Sequence, residues 1–200
     1  MTAEYLPLED LLTAVRGCSH CADLPLGPNP ILQADARARL LIIGQAPGTR
    51  VHATGIPWND PSGDLLREWL QLDRERFYDP ATIAIMPMGL CYPGRGRAGD
   101  LPPRPECAPL WHAAVRARLP EIRLTLLVGR YAHQYYLPAG PATVSARVAA
   151  HADCPPGYFP LPHPSPRNRR WLQQRPWFQA QVLPALRRAV QRALGDQPSS

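Results

Sequence analysis

The chain has 200 residues, of which 45% are apolar, and this is enough to bury one hydrophobic core without disulfides or a second domain. Its formal net charge is +6, and all 22 basic residues are arginines, which permits a nucleic-acid partner but is equally typical of a GC-rich genome. No apolar run approaches the roughly 18 residues of a membrane span, and "MTAEYLPLEDLL" lacks the features of a secretion signal. We therefore expect a cytoplasmic protein that has no membrane partner and is a monomer.

The predicted elements alternate between helices and strands along the chain. A helix is predicted at about residues 7 to 16, a buried strand in "ARLLIIG" and a helix in "SGDLLREWL". Strands in "TIAIMPMG", "RLTLLVG" and "GYFPLPHPSP" alternate with helices in "ECAPLWHAAVRARL" and "RYAHQYYL", and a last helix follows with an expected kink at Pro184. The alternation predicts an α/β domain over residues 1–195, with a parallel sheet covered on both faces and a disordered tail at 196–200.

Three loops are predicted to meet at the carboxyl edge of this sheet, where parallel sheets bind their ligands. Their sequences are "GQAPG" at 44 to 48, "PMGLCYPG" at 87 to 94 and "HPSPRN" at 163 to 168. "GQAPG" lacks the spacing and the lysine of a phosphate-binding loop, so a nucleotide-binding protein is the weaker interpretation.

Four cysteines have the spacing of a closed ligand set: Cys18 and Cys21 form a C-x2-C pair, and Cys91 and Cys107 form C-x15-C. Four thiolates can hold zinc or a [4Fe-4S] cluster, and the spacing alone does not choose between them. The alternative is a scatter of core cysteines. Cys154 has no partner at a useful spacing and is expected to be a packed or surface thiol.

With "GQAPG", "TGIPW", "HPSPRN" and the cysteine spacing, the chain resembles the uracil-DNA glycosylase superfamily. The cysteines are similar to those of its iron-sulfur branch, families 4 and 5, and "HPSPRN" is also similar to the motif of the single-strand-selective uracil glycosylases. The resemblance implies a three-layer α/β/α fold with a central four-stranded parallel sheet. It also implies DNA with a damaged or deaminated base as the partner. Of the two possible metal groups, it favours the [4Fe-4S] cluster over zinc, with a structural and DNA-positioning role for the cluster.

The resemblance assigns roles to residues of two loops. His163 matches the histidine that donates a hydrogen bond to the negative charge developing on uracil O2, and Trp58 matches the aromatic residue that stacks on the flipped base. Ser165, Arg167 and Asn168 match the loop that contacts phosphates and wedges the minor groove. The alternatives are a histidine and a tryptophan with structural roles only, and an ordinary solvated arginine.

The chain departs from the family at the position of the catalytic carboxylate. Family 4 has a glutamate where this chain has Gln45, and other families have Asp or Asn where it has Ala46. An amide can orient a water molecule but cannot accept its proton, so Asp60 is the candidate general base. The alternative for Asp60 is a turn or a helix cap.

A second departure is Pro87, which replaces an asparagine that reads the edge of uracil in family 4. We predict that the backbone amides of Met88 and Gly89 line the pocket instead and discriminate weakly among deaminated bases. Gly44, Ala46 and Asn59 complete the predicted substrate-binding set.

The sequence thus predicts a monofunctional DNA glycosylase that hydrolyses the N-glycosidic bond of uracil or a related base, since the chain has no lysine to act as a lyase. The alternative is a very slow or non-catalytic protein of the same fold that binds damaged DNA.

Overall fold

A four-stranded parallel sheet forms the centre of the computed structural model, which describes residues 6–97, 99–137 and 139–195. The sheet has the order β2-β1-β5-β6, and β3 pairs with β4 in a separate antiparallel hairpin. The strands are β1 (Leu40–Ile43), β2 (Ile83–Ile85), β3 (Arg95–Gly96), β4 (Gly99–Asp100), β5 (Leu124–Val128) and β6 (Tyr158–Leu161). The parallel pairing confirms the predicted sheet. The predicted tail at 196–200 lies outside the described residues.

Helices cover both faces of this sheet. They are α1 (Leu8–Arg16), α2 (Thr49–Thr54), α3 (Pro61–Leu70), α4 (Arg74–Tyr78), α5 (Ala113–Arg116), α6 (Arg130–Tyr136), α7 (Val144–Ala149), α8 (Arg169–Gln173) and α9 (Leu183–Leu194). In the described part of the chain, no helix has the length and apolar character needed to cross a membrane.

The side chains of β1 divide the core into two clusters, because successive residues of a strand point to opposite faces. Leu40 and Ile42 belong to a cluster that contains the buried residues of α3, α7 and α9. Leu41 and Ile43 belong to a second cluster with α1, α5 and α6. This arrangement is the predicted three-layer α/β/α fold.

Two of the predicted helices contain a π-helical turn near their N-terminus. This turn is Ala108–His112 in the helix that ends with α5 and Phe178–Val182 in the helix that ends with α9. In the second case Pro184 has no N–H to donate to the carbonyl of residue 180, so the interruption predicted at Pro184 takes the form of a wider turn just before it.

Candidate active site

A cavity of about 420 Å³ opens at the carboxyl edge of the sheet. Its walls come from the segments that follow β1, β2 and β6, from the loop before α3 and from the β3–β4 hairpin. The volume is in the usual range of small-molecule sites and is large enough for a nucleobase. The predicted site residues that line it are Gly44, Gln45, Ala46, Trp58, Asp60, His163, Ser165, Arg167 and Asn168.

Trp58 and His163 lie side by side in this cavity, with ring centroids 5.6 Å apart and planes inclined by 34°. Trp58 has a φ of 56°, a region that non-glycine residues rarely adopt. The buried Arg67 donates a hydrogen bond of 3.4 Å to its carbonyl oxygen. Two glycines make room for it, since a Cβ on Gly44 would lie 2.7 Å from Trp58 Cζ2 and a Cβ on Gly63 would overlap the Trp58 carbonyl. The tryptophan is therefore held in one position by its neighbours.

His163 follows β6 in a loop that prolines on both sides restrict. Burial lowers the pKa of His163, and the negative charge of Asp60 opposes this only in part. A neutral imidazole at pH 7 carries a single N–H, which can donate to one acceptor in the cavity. The carbonyl of His163 accepts a hydrogen bond of 2.7 Å from Asn168 Nδ2, so Asn168 helps to hold the loop in place.

Asp60 is the N-cap of α3 and also lines the cavity. Its Oδ1 accepts a hydrogen bond of 2.9 Å from the backbone N–H of Gly63, and Pro61 occupies the first position of the helix. The helix-cap alternative is therefore correct for one of its two carboxylate oxygens. The cap also fixes the position of the carboxylate beside Trp58.

The predicted role of the Met88 and Gly89 amides is wrong. The N–H of Met88 donates to the carbonyl of Gly44 at 2.9 Å, and the N–H of Gly89 donates to that of Gln45 at the same distance. These amides continue the pairing of β2 with β1 beyond the sheet, so neither can read a base. Met88 is 6% exposed and belongs to the core.

Asn59 also differs from its predicted position, because it lies outside the lining of the cavity. Its Oδ1 accepts a hydrogen bond of 3.0 Å from Arg74 in α4. Pro87, by contrast, lines the cavity. A proline in this wall offers a base an apolar ring and no N–H.

A comparison with known protein families found a match for this chain. The family model of the uracil DNA glycosylase superfamily matches residues 32–187, which is more than three quarters of the chain. The chain therefore belongs to the uracil DNA glycosylase superfamily. The matched region includes the whole sheet and every predicted residue of the cavity, and it begins after Cys18 and Cys21.

In this superfamily member, the loop after β6 is bonded largely to itself. Ser165 Oγ accepts from the N–H of Arg167 at 3.2 Å, and the N–H of Asn168 donates to the Ser165 carbonyl at 2.8 Å. Arg167 is exposed, and its guanidinium lies against Gly99 in the hairpin, where φ is 137° and a Cβ would collide with it. The hairpin and the loop thus meet at the mouth of the cavity.

The hairpin contributes a carboxylate that the sequence analysis missed. Asp100 lines the cavity, and its Oδ2 would be 3.5 Å from a Cβ on Gly48. Asp100 lies within C-x15-C, where two-residue strands leave no periodic pattern in the sequence, so no signal pointed to it.

The four predicted ligand cysteines of this chain line a second, small cavity, together with His20, Glu106 and Trp111. Burial raises the pKa of the Cys91 thiol to about 11 and also raises the pKa of Cys107. The backbone amides of Asn29 and Leu90 oppose this effect at Cys91 and Cys107, respectively, because a hydrogen bond to sulfur favours the thiolate.

The four cysteines lie around the same small cavity. Among the described residues, no group of three or more His, Cys, Asp or Glu side chains is arranged to hold a metal ion. The volume of this cavity is about 10 Å³, compared with about 420 Å³ for the cavity at the edge of the sheet. Cys154 lies elsewhere and packs, half-buried, against the second core cluster.

Proposed function

We propose that this protein is a monofunctional DNA glycosylase that hydrolyses the N-glycosidic bond of uracil or a related deaminated base in DNA. The observation that carries the proposal is the grouping of Trp58, His163 and Asp60 around one cavity of nucleobase size. An aromatic platform, a neutral hydrogen-bond donor and a carboxylate are the groups that this hydrolysis needs.

The base must first leave the duplex, and the apolar face of Trp58 then provides a surface on which it can stack. As the bond between C1′ and the base nitrogen breaks, its electron pair passes to the base. The N–H of His163 donates to the oxygen on which this charge collects, and a rigid donor of this kind contributes roughly a hundred- to a thousandfold in rate. The sugar becomes a cation that a water molecule attacks at C1′.

We assign the proton of this water to the Asp60 oxygen that the helix cap does not use. Gln45 also lines the cavity and can orient the same water through its amide. A positioned general base contributes roughly a hundred- to ten-thousandfold. Arg167, at the mouth, is assigned to a DNA phosphate, which its planar guanidinium can bind in bidentate fashion.

A second candidate function is a very slow or non-catalytic protein that binds damaged DNA. The cap bond of Asp60 favours it, because the N–H of Gly63 already occupies one carboxylate oxygen and only the other is left to take a proton from water. Single-turnover excision on an oligonucleotide with one uracil decides between the two. Abasic product supports the glycosylase, whereas selective binding without product supports the binder.

For the cysteine cavity we propose a [4Fe-4S] cluster held by Cys18, Cys21, Cys91 and Cys107, with zinc as the alternative. Zinc–sulfur bonds of about 2.3 Å would bring four thiolates to within about 3.8 Å of one another, whereas a cluster binds each thiolate at a different iron. The grouping of the four cysteines around one cavity supports a shared inorganic group, and the similarity of their spacing to that of the iron-sulfur branch favours the cluster. When bound, the cluster would supply structural cross-links and no step of the hydrolysis.

Trp111 provides a further reason to expect sulfur in this cavity. Its indole lines the cavity, and its buried Nε1 has no hydrogen-bond partner among the described residues. A buried donor without an acceptor is unfavourable by about 1 to 3 kcal/mol, and an inorganic sulfide would accept from it. Brown protein with bound iron and visible absorbance would support the cluster, and colourless protein with bound zinc would contradict it.

A further inference from the structure

His112 is a buried histidine that connects the cysteine-bearing helix to the wall of the candidate base pocket. It is 1% exposed and ends the π-helical turn that begins after Cys107. Its Nε2 lies 3.1 Å from the carbonyl oxygen of Pro87, and its Nδ1 lies 2.6 Å from the hydroxyl of Tyr136. The proposed mechanism gives this residue no role.

The hydrogen atoms of this network follow from the chemistry of the acceptor. A carbonyl oxygen can only accept, so Nε2 carries the hydrogen and donates to Pro87. Nδ1 is then the acceptor and receives the hydrogen bond of the Tyr136 hydroxyl. The Tyr136 ring in turn packs against the guanidinium of Arg116, which lies 5.0 Å from the ring centroid and donates to the Tyr158 hydroxyl.

The segment after β2 is thus bonded from two sides. On one side, the N–H groups of Met88 and Gly89 attach it to the loop after β1. On the other side, His112 is the side chain that bonds to the Pro87 carbonyl. Pro87 is the residue of this segment that lines the cavity, and the sequence analysis identified it as a departure from the asparagine of family 4.

We propose that His112 is a positioning residue for the base pocket: through Nε2–H it holds the Pro87 wall at a fixed distance from the Trp58 platform. The inference rests on the proposed glycosylase function and deepens it. The base then meets an apolar wall whose position is set from behind, by the π-helical turn that follows Cys107. Shape, and not hydrogen bonding, determines the fit on this side.

Two substitutions whose amide groups extend to different distances from the backbone test the assignment. In His112→Gln the amide nitrogen extends about as far as Nε2 and can still donate to Pro87, whereas in His112→Asn it reaches only as far as Nδ1. We expect His112→Asn to raise KM for a uracil-containing oligonucleotide about tenfold with kcat nearly unchanged, and we expect His112→Gln to restore most of the affinity.

His133 provides the matched control. It is also 1% exposed, and its Nε2 donates to a backbone carbonyl, that of Leu127, at 2.9 Å; unlike Pro87, Leu127 does not line the cavity. His133→Asn should lower the melting temperature, as His112→Asn does, and leave KM unchanged. Equal KM values in the two Asn variants, or no rescue by His112→Gln, would overturn the inference alone. Wild-type protein that neither cleaves nor selectively binds uracil DNA would overturn the proposed function and the inference with it.

Discussion

Replacing Asp60 with asparagine separates the two roles that its carboxylate has in the proposed mechanism. In the structure Oδ1 caps α3 through the N–H of Gly63 at 2.9 Å. Asparagine is an equally good N-cap, so Asp60→Asn keeps this bond and loses only the proton acceptor. Asp60→Ala loses both, and the missing cap costs about 1 kcal/mol of folding free energy. We therefore expect unchanged stability in the first variant and reduced stability in the second.

The expected catalytic loss is similar in both variants, about a hundred- to ten-thousandfold in the single-turnover rate. A change in the protonation of His163 cannot cause this loss of rate. Asp60 raises the pKa of His163 against the effect of burial, so its removal lowers that pKa further and leaves the ring neutral at pH 7. The assay is excision of uracil from an end-labelled oligonucleotide at saturating protein. A rate for Asp60→Asn within a few fold of wild type would refute the general-base assignment and leave Gln45 to position the water.

Three further predictions follow from contacts in and around the site. Gly63→Ala should destabilise the protein and alter Trp58 fluorescence, because the new Cβ overlaps the Trp58 carbonyl. Alanine otherwise favours a helix over glycine by about 1 kcal/mol, so a variant more stable than wild type would contradict this prediction. Burial lowers the pKa of His112 and His133 to about 4, so the unfolded chain binds more protons than the folded chain below pH 6.5. The free energy of unfolding measured with urea should therefore be lower at pH 5 than at pH 7 by about 2 kcal/mol per ring. Trp111→Phe should make the reduction potential of the proposed cluster more negative, and an unchanged potential would argue against an indole–sulfur hydrogen bond.

The sheet could be predicted from the sequence because its signals are local. Each strand is a short apolar run, and each is followed by turn residues and an amphipathic helix, so the alternation fixes parallel pairing. The π-helical turns could not be predicted in the same way. Ala108–His112 reads as ordinary helix in the sequence, and its wider turn depends on tertiary contacts such as the one from His112 to Pro87.

The same difference between local signals and tertiary contacts separates the cavity residues that could be predicted from those that could not. Trp58 and His163 were found because they belong to contiguous motifs that prolines and glycines make rigid. The amides of Met88 and Gly89 were assigned incorrectly because hydrogen bonds between loops depend on how the segments after two neighbouring strands align. Asp100 reaches the cavity through a hairpin too short to produce a pattern. Sequence reasoning thus identified side chains with distinctive chemistry and missed groups whose role depends on pairing.

The position of Asp60 links stability and chemistry in this site. One oxygen of the Asp60 carboxylate caps α3 through the N–H of Gly63, and this bond fixes the position of the whole group. Trp58, two residues earlier, has an unfavourable φ that the capped helix and Arg67 maintain together. The same turn therefore positions both the Trp58 ring and the proposed general base. In the proposed mechanism His163 aids the departure of the base and Asp60 aids the attack of water, so His163→Ala should also slow single-turnover excision, by roughly a hundred- to a thousandfold.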